Sequence, residues 1–180
     1  MEIEKTTIDG LLIIRPRVFP DERGYFFEAY NEKKKKEQGF EQHFVQDNIS
    51  KSSKNVLRGL HFQNPPHAQG KLVQVIRGAV LDIAVDIRKD SPTYGEHYAI
   101  ELSEKNNLLF FIPPGFAHGF LTLEDNTIFS YKCTALYNKE SEGSIQWNDK
   151  ELGINWNVND PIISKKDQTS PSFKDFNSQF

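Results

Sequence analysis

Apolar and polar residues alternate strictly along residues 81–88 of the chain. The apolar positions are Leu81, Ile83, Val85 and Ile87, and the positions that follow each of them are Asp82, Ala84, Asp86 and Arg88. Because successive side chains of a β-strand point to opposite faces, a period of two predicts a strand with one apolar face. The preceding run, Lys71 to Ile76, predicts a second strand, and Arg77-Gly78 predicts a tight turn between the two.

Short runs of this kind recur between glycine and proline residues. Further strands are predicted at Leu11 to Arg15, Tyr98 to Leu102, Leu108 to Ile112, Gly119 to Leu123 and Thr127 to Thr134. Many short strands separated by turns are typical of an all-β sandwich or barrel. Helix is predicted only over Asn31 to Gln42, with the lysine-rich run 32–37 as a solvated face. No repeat or domain boundary is found, so residues 1–180 are expected to form a single domain.

Two environments fit the polar face of the strand at residues 81–88. On an open sheet, Asp82, Ala84 and Asp86 would face water. In a small barrel one face of every strand points inward, and the same residues would make a polar interior. The sequence of this strand alone slightly favours a solvent-exposed face, whereas the candidate catalytic residues elsewhere in the chain favour a cavity lined by these side chains.

Charge and cysteine content exclude several classes of protein. A net charge of −3 argues against a nucleic-acid-binding protein, whereas a small anionic ligand needs only a few local cations. The only cysteine, Cys133, has no activating partner nearby, so a buried, inert thiol in a reducing compartment is expected. No signal peptide is recognised, and no apolar run approaches the roughly 20 residues that cross a bilayer. We therefore expect a cytoplasmic protein that does not bind membranes.

Two histidines are candidates for a functional site. His61 is expected between strands, and Arg58 would lie on the opposite strand face unless a turn or bulge at Gly59 brings both side chains to one site. His118 falls in the predicted turn 114–120, where it is either a core histidine or a rigidly held hydrogen-bonding group for a ligand.

A metal site is the less favoured alternative. Small β-barrels that bind iron, zinc or manganese usually have two histidines one residue apart, then a carboxylate and a third histidine. This chain has His61-Phe62-Gln63 at the corresponding place, and His67 lies in a proline-containing loop. Two histidines and a glutamine are a poor donor set for these ions.

With a metal site less favoured, acid–base catalysis is the remaining interpretation of these residues. Histidine is the side chain best suited to act as a base near neutrality, so His61 is a candidate base, and Asp167, in the Ser164-Lys165-Lys166-Asp167 segment, is a candidate to orient it. Lys71 is a candidate to stabilise an oxyanion, and Tyr131 to return a proton from another direction. The tail that contains Asp167 is predicted as loop from its composition.

Taken together, the segments of this chain resemble the dTDP-4-dehydrorhamnose 3,5-epimerase family along nearly its whole length. The matching stretches are Asp21 to Glu28, Val45 to Ser50, Val56 to Gln63, Gln69 to Val73, Asp82 to Arg88, Ser91 to Gly95, Gly115 to Phe120, Tyr131 and Ser164 to Asp167. The resemblance implies a cupin-type double-stranded β-helix, or jelly roll, and no metal or organic cofactor. It also implies a homodimer with exchanged N-terminal strands and a C-terminal segment, residues 164–180, that closes over the site.

The resemblance further implies a reaction and a role for each site residue. The substrate would be dTDP-4-dehydro-6-deoxy-D-glucose, inverted at C3 and C5 to dTDP-4-dehydro-L-rhamnose on the route to L-rhamnose. His61 would be the base paired with Asp167, Lys71 would lie near the C4 oxygen, and Tyr131 would be the acid at C5. Arg58 and His118 would contact the diphosphate and sugar. The nucleotide would be held by Arg23, Phe26, Glu28, Gln46 and Asn48, some of them across the dimer.

Three alternatives stay open from the sequence. An enzyme of the same family could invert C3 alone. A metal-dependent cupin isomerase or dioxygenase is a second alternative, which metal analysis would separate. The third is a non-catalytic barrel that binds sugar nucleotides, for which no solvent deuterium would enter the sugar.

Overall fold

The computed structural model describes residues 1–180 and contains thirteen strands and one short α-helix. The strands are β1 (Glu2–Lys5), β2 (Leu12–Arg15), β3 (Phe19–Asp21), β4 (Gly24–Phe26), β5 (Gln46–Ser52), β6 (Leu57–Gln63), β7 (Lys71–Arg77), β8 (Ala79–Asp86), β9 (His97–Ser103), β10 (Leu109–Ile112), β11 (Phe116–Thr122), β12 (Thr127–Cys133) and β13 (Glu142–Ser144). The helix, α1, is Glu32–Lys36. Every strand predicted from the sequence has a counterpart here.

Eleven of the strands form two facing antiparallel sheets. The six-stranded sheet has the order β1-β2-β10-β7-β12-β5, and the five-stranded sheet has the order β13-β6-β11-β8-β9. Buried side chains of both inner faces, among them Phe110 and Phe129 from one sheet and Leu102 and Phe120 from the other, form one apolar cluster between them. The prediction of an all-β, jelly-roll type of domain is confirmed.

Strand β8 places its two faces in different parts of the core. Asp82 and Asp86 lie on the inner face and are wholly buried, so the alternative of a water-facing polar face is wrong. Ile83 and Val85 point away from the sandwich, but the chain after β13 covers them through Trp156 and neighbouring apolar side chains. The tail is largely irregular, as its composition predicts, with a single 3-10 turn over Asp167–Thr169.

The predicted helix over Asn31 to Gln42 is much shorter in the structure. The Asn31 side chain caps α1 by accepting a hydrogen bond from the Lys34 N–H, and the chain turns at Gly39 with φ of 79°. The lysine run is not a uniformly solvated face, because Lys35 is only 1% exposed. Its ammonium lies 4.6 Å from the centroid of the Tyr30 ring and 5.3 Å from that of Phe40. No helix has the length and apolar character needed to span a bilayer.

Candidate active site

A cavity of about 500 Å³ opens between the two sheets. Six of its lining residues are polar residues singled out from the sequence: Arg58, His61, Lys71, His118, Tyr131 and Asp167. A second cavity of about 320 Å³ shares His61, Lys71 and Tyr131 with the first and extends to Gln46 and Asn48. The two cavities therefore form one cleft with the shared residues in its middle.

His61 lies within β6, not between strands as the sequence suggested. Its neighbours in the sheet are His118 on β11 and Ser144 on β13, so its backbone is held from both sides. The ring Nε2 lies 2.6 Å from Asp167 Oδ1. The Asp167 side chain is only 3% exposed, whereas that of His61 is 29% exposed and reaches the cavity. A carboxylate in this place fixes the orientation of the imidazole and stabilises its protonated form.

The environment of Asp167 keeps it ionised. Burial acts to raise the pKa of this carboxyl, but the hydrogen bond and charge of His61, together with a bond from Ser164, outweigh burial and lower it. The backbone N–H of Asp167 in turn donates to Ser164 Oγ at 3.1 Å. The pair with His61 therefore joins two elements that are 106 residues apart in the chain.

A β-bulge at Gly59 brings Arg58 and His61 to the same cavity, as predicted. His118 pairs with His61 and Phe120 with Arg58, so Gly59 and Leu60 of β6 lie opposite the single residue Gly119 of β11. Gly59 has φ of 135°, and a Cβ there would lie 2.5 Å from the Cα of Gly119. Only glycine fits this position without displacing the adjacent strand.

Lys71 begins β7 on the opposite sheet, where its backbone pairs with β10 and β12, but its ammonium makes no hydrogen bond or ion pair within the chain. Burial lowers the pKa of Lys71, and the nearby carboxylate of Asp82 acts in the other direction. An ammonium without a partner at the side of a cavity is available to a negatively charged atom of a ligand.

Tyr131, on β12 of the same sheet as Lys71, faces the His61 side of the cavity. Burial raises the pKa of the Tyr131 phenol, while the charge of Arg58 partly opposes this. The phenol is therefore a proton donor at neutral pH. His61 and Tyr131 thus approach the same space from opposite sheets.

His118 lies in β11, and the predicted turn is confined to the residues before it. Its Nε2 lies 3.0 Å from both carboxylate oxygens of the wholly buried Asp82. Burial lowers the pKa of His118 despite that carboxylate, which opposes the shift. Asp82 therefore orients this imidazole from behind, away from the cavity.

Gln46 and Asn48 reach the second cavity from β5, whereas the three remaining predicted nucleotide contacts do not reach it. Arg23 is paired with Asp21, and Phe26 is 64% exposed on the two-stranded β3–β4 hairpin. Glu28 forms an ion pair with Lys34. Within one chain, these three lie outside both cavities.

Several cavity residues were not found by sequence reasoning. Lys166 lines the first cavity and forms a 2.5 Å ion pair with Glu142, which lines the second and also accepts a hydrogen bond from the Tyr137 hydroxyl. Ser50 and Ser52 continue the inward face of β5 beyond Asn48. The i, i+2 spacing from Gln46 was the sequence signal for the two serines. No group of three or more His, Cys, Asp or Glu side chains is arranged to hold a metal ion.

Comparison with known proteins identifies relatives that match almost end to end. The family model for dTDP-4-dehydrorhamnose 3,5-epimerase matches residues 5–175. The dTDP-4-dehydrorhamnose 3,5-epimerase of Methanothermobacter thermautotrophicus is 55% identical over 167 residues, which cover 91% of this chain and 90% of the relative.

Two solved structures agree with this match. The crystal structure of dTDP-4-dehydrorhamnose 3,5-epimerase from Elizabethkingia anophelis has a TM-score of 0.93 and 54% identity, covering 99% of each chain. The Legionella pneumophila dTDP-6-deoxy-D-glucose-3,5-epimerase, solved in complex with dTDP-4-keto-L-rhamnose, has a TM-score of 0.93 and 46% identity. It covers 98% of this chain and 94% of its own. The chain belongs to the dTDP-4-dehydrorhamnose 3,5-epimerase family.

Proposed function

We propose that this protein inverts C3 and C5 of dTDP-4-dehydro-6-deoxy-D-glucose and thereby forms dTDP-4-dehydro-L-rhamnose. The observation that carries the proposal is the placement of the His61–Asp167 pair on one side of a cavity and of Lys71 and Tyr131 on the other. A base, an oxyanion-stabilising cation and a separate acid are the groups that such an inversion requires. The reaction serves the supply of activated L-rhamnose.

The chemistry starts from the C4 ketone of the sugar. Both C3 and C5 are α to this carbonyl, so removal of either proton gives an enolate with its negative charge on O4. His61 takes the proton, and Asp167 stabilises the imidazolium that forms. The unpartnered ammonium of Lys71 stabilises the charge on O4 where it develops, which is usually the largest contribution in such a site.

Inversion requires that the new proton arrive from the face opposite the one that lost it. Tyr131 is protonated at neutral pH and extends from the sheet that faces His61. It therefore returns a proton to the face that His61 does not reach. A base on one face and an acid on the other are needed at each carbon that is inverted, because a single base would exchange protons on one face only.

The nucleotide occupies the rest of the cleft. Arg58 binds the diphosphate, for which a guanidinium fork is better suited than an ammonium, and His118 contacts the diphosphate and sugar. Gln46 and Asn48 hold the nucleotide. Ser164, Lys166 and Asp167 form one wall, and the C-terminal segment 164–180 closes over the bound substrate.

A second copy of the chain completes the site in this proposal. The β3–β4 hairpin exposes Phe26 and Arg23, which lie outside both cavities of their own chain. In a homodimer with exchanged N-terminal strands, these residues and Glu28 reach the nucleotide of the partner. The protein acts in the cytoplasm and needs neither a metal ion nor an organic cofactor.

The test is NMR of dTDP-4-dehydro-6-deoxy-D-glucose incubated with metal-stripped protein in D₂O. We expect deuterium at both C3 and C5, together with conversion to the L-rhamno product. Deuterium and inversion at C3 alone would assign the protein as a 3-epimerase. No exchange at either carbon would overturn the proton-transfer mechanism, and activity that returns only with added metal would favour the metal-dependent alternative.

A further inference from the structure

Strand β5 presents a row of polar side chains to the inside of the sandwich. Its residues alternate between partly or fully buried positions and exposed ones, and the inward members are Gln46, Asn48, Ser50 and Ser52. The first two are already proposed to hold the nucleotide. The two serines lie further along the same face, and Ser50 lines the larger cavity.

The hydroxyls of the two serines have different surroundings. Ser52 Oγ lies 3.3 Å from Nε and 3.2 Å from Nη2 of Arg58, from which it accepts hydrogen bonds. Ser50 Oγ is enclosed and has no hydrogen-bond partner in the chain. A buried hydroxyl without a partner is costly and uncommon. Because rotation about one bond re-aims a serine hydroxyl, a ligand oxygen in the adjoining cavity can become its partner.

The register of β5 locates Ser50 along the cleft. Asn48 pairs with Tyr131 of β12, and Ser50 pairs with Phe129, which lies two residues before Tyr131 on the same strand. Positions two residues apart on a strand are separated by roughly 7 Å. Ser50 therefore lies between the level of Tyr131, where the sugar reacts, and the level of Ser52, which holds Arg58.

We infer that the Ser50 hydroxyl donates a hydrogen bond to an oxygen of the nucleotide diphosphate, beside an Arg58 guanidinium whose orientation Ser52 fixes. Diphosphate oxygens are charged acceptors and form the stronger class of hydrogen bond. Three of the five guanidinium N–H groups remain after the two bonds to Ser52, so Arg58 still has donors for the same diphosphate. This inference rests on the proposed function, since it requires a nucleotide diphosphate in the cleft.

The test compares Ser50→Ala with Thr122→Val by titration calorimetry with dTDP and by thermal unfolding without ligand. Thr122 Oγ1 is also buried without a partner, but Thr122 does not line the cavity. We expect Ser50→Ala to weaken dTDP binding roughly ten- to a hundredfold, the usual effect of losing a hydrogen bond to a charged group. Thr122→Val should leave the affinity unchanged. Neither variant should unfold at a lower temperature, because each loses an unpaired buried hydroxyl.

Each other outcome overturns the inference in a recognisable way. Unchanged dTDP affinity together with slower turnover of the sugar nucleotide would move the contact of Ser50 to the sugar. Lower thermal stability with weaker binding would make Ser50 a structural residue. No binding of dTDP by the unchanged protein would overturn the proposed function along with the inference, whereas normal binding by both proteins would overturn the inference alone.

The role of Ser52 is tested by its dependence on Arg58. Ser52→Ala should weaken dTDP binding in the unchanged protein, but it should cause no further loss in a protein that already carries Arg58→Ala. A purely structural effect of Ser52 would appear in both backgrounds. That result would remove the orienting contact from the inference.

Discussion

The two ends of β8 inside the sandwich are organised in opposite ways. At one end, Asp86 accepts hydrogen bonds from Arg88, Ser91 and Thr93, so its charge is fully paired. At the other end, Asp82 holds His118, while the nearby Lys71 has no partner at all. Both ends carry charge within the sandwich, yet only the second adjoins the cavity that contains His61 and Tyr131.

This difference separates groups that stabilise the fold from groups available to a ligand. A fully satisfied buried network contributes stability and specifies the structure, whereas an unpaired buried cation costs stability in the absence of a ligand. Changes at the unpaired groups of the cavity should therefore reduce activity with little loss of stability. Changes at Asp86 should reduce stability with little change in the activity of the folded protein.

The largest effect is expected at His61. His61→Ala removes the proposed base and should lower turnover by about 10²–10⁴, the usual contribution of general base catalysis. Its thermal stability should fall modestly, because the buried Asp167 carboxylate loses its partner, so turnover is compared at a temperature where the variant is folded. The control is His43→Ala, which removes an exposed histidine. Near-normal turnover of the His61 variant would exclude this residue as the base.

Lys71→Met tests the unpaired cation. It should lower turnover by roughly 10²–10³, as expected for the loss of one group that stabilises a developing oxyanion. Its stability should be close to that of the unchanged protein, because the half-buried ammonium that is removed has no partner within the chain. Lys89→Met, at an exposed position, is the matched control. A loss of stability in Lys71→Met would show that Lys71 has a structural partner.

Asp86→Asn tests the paired end of the strand. Burial acts to raise the pKa of Asp86, but the bonds from Arg88, Ser91 and Thr93 outweigh it and lower the pKa to about 2. The depressed pKa contributes about 2 kcal/mol of stability, which is present above the unfolded pKa and is lost as the pH falls from about 4 to about 2. At neutral pH, the free energy of unfolding of Asp86→Asn should be lower by that amount, as measured by denaturant unfolding. The stability of the variant should also fall less steeply than that of the unchanged protein between about pH 4 and 2. A large loss of turnover in the folded variant would contradict the comparison.

The smallest effect is expected at Lys35, an unpaired cation away from the cavity. Burial lowers the pKa of Lys35 to about 8, so the unfolded chain binds more protons between about pH 8 and 10.5. Stability should therefore rise with pH in this window by about 2 kcal/mol, because the lowered pKa corresponds to roughly 3 kcal/mol and the two aromatic contacts, which favour the charged form, offset roughly 1–2 kcal/mol of it. Unfolding of Lys35→Met should lack this rise. An equal rise in both proteins would assign it to other groups.

The sequence predicted local structure well where one periodicity dominated. The alternation over 81–88 identified β8, and the glycine at position 59 identified the bulge that brings Arg58 to His61. The helix was predicted too long, because the lysine run provided helix-forming residues without an amphipathic pattern. His61 and His118 were assigned to a connection and a turn because glycine interrupts both of their strands.

By itself, the sequence determined the class of fold, the family and the six polar groups that line the cavity, since strand periodicity and residue type are local properties of the chain. Only the tertiary structure decided which groups have partners. The pairing of His61 with Asp167, the burial of Lys35 and the lack of a partner for Lys71 and Ser50 all depend on contacts between distant segments. Whether a polar side chain has a hydrogen-bond partner depends on packing, because the possible partners of a hydroxyl or an ammonium lie on the strands that surround it.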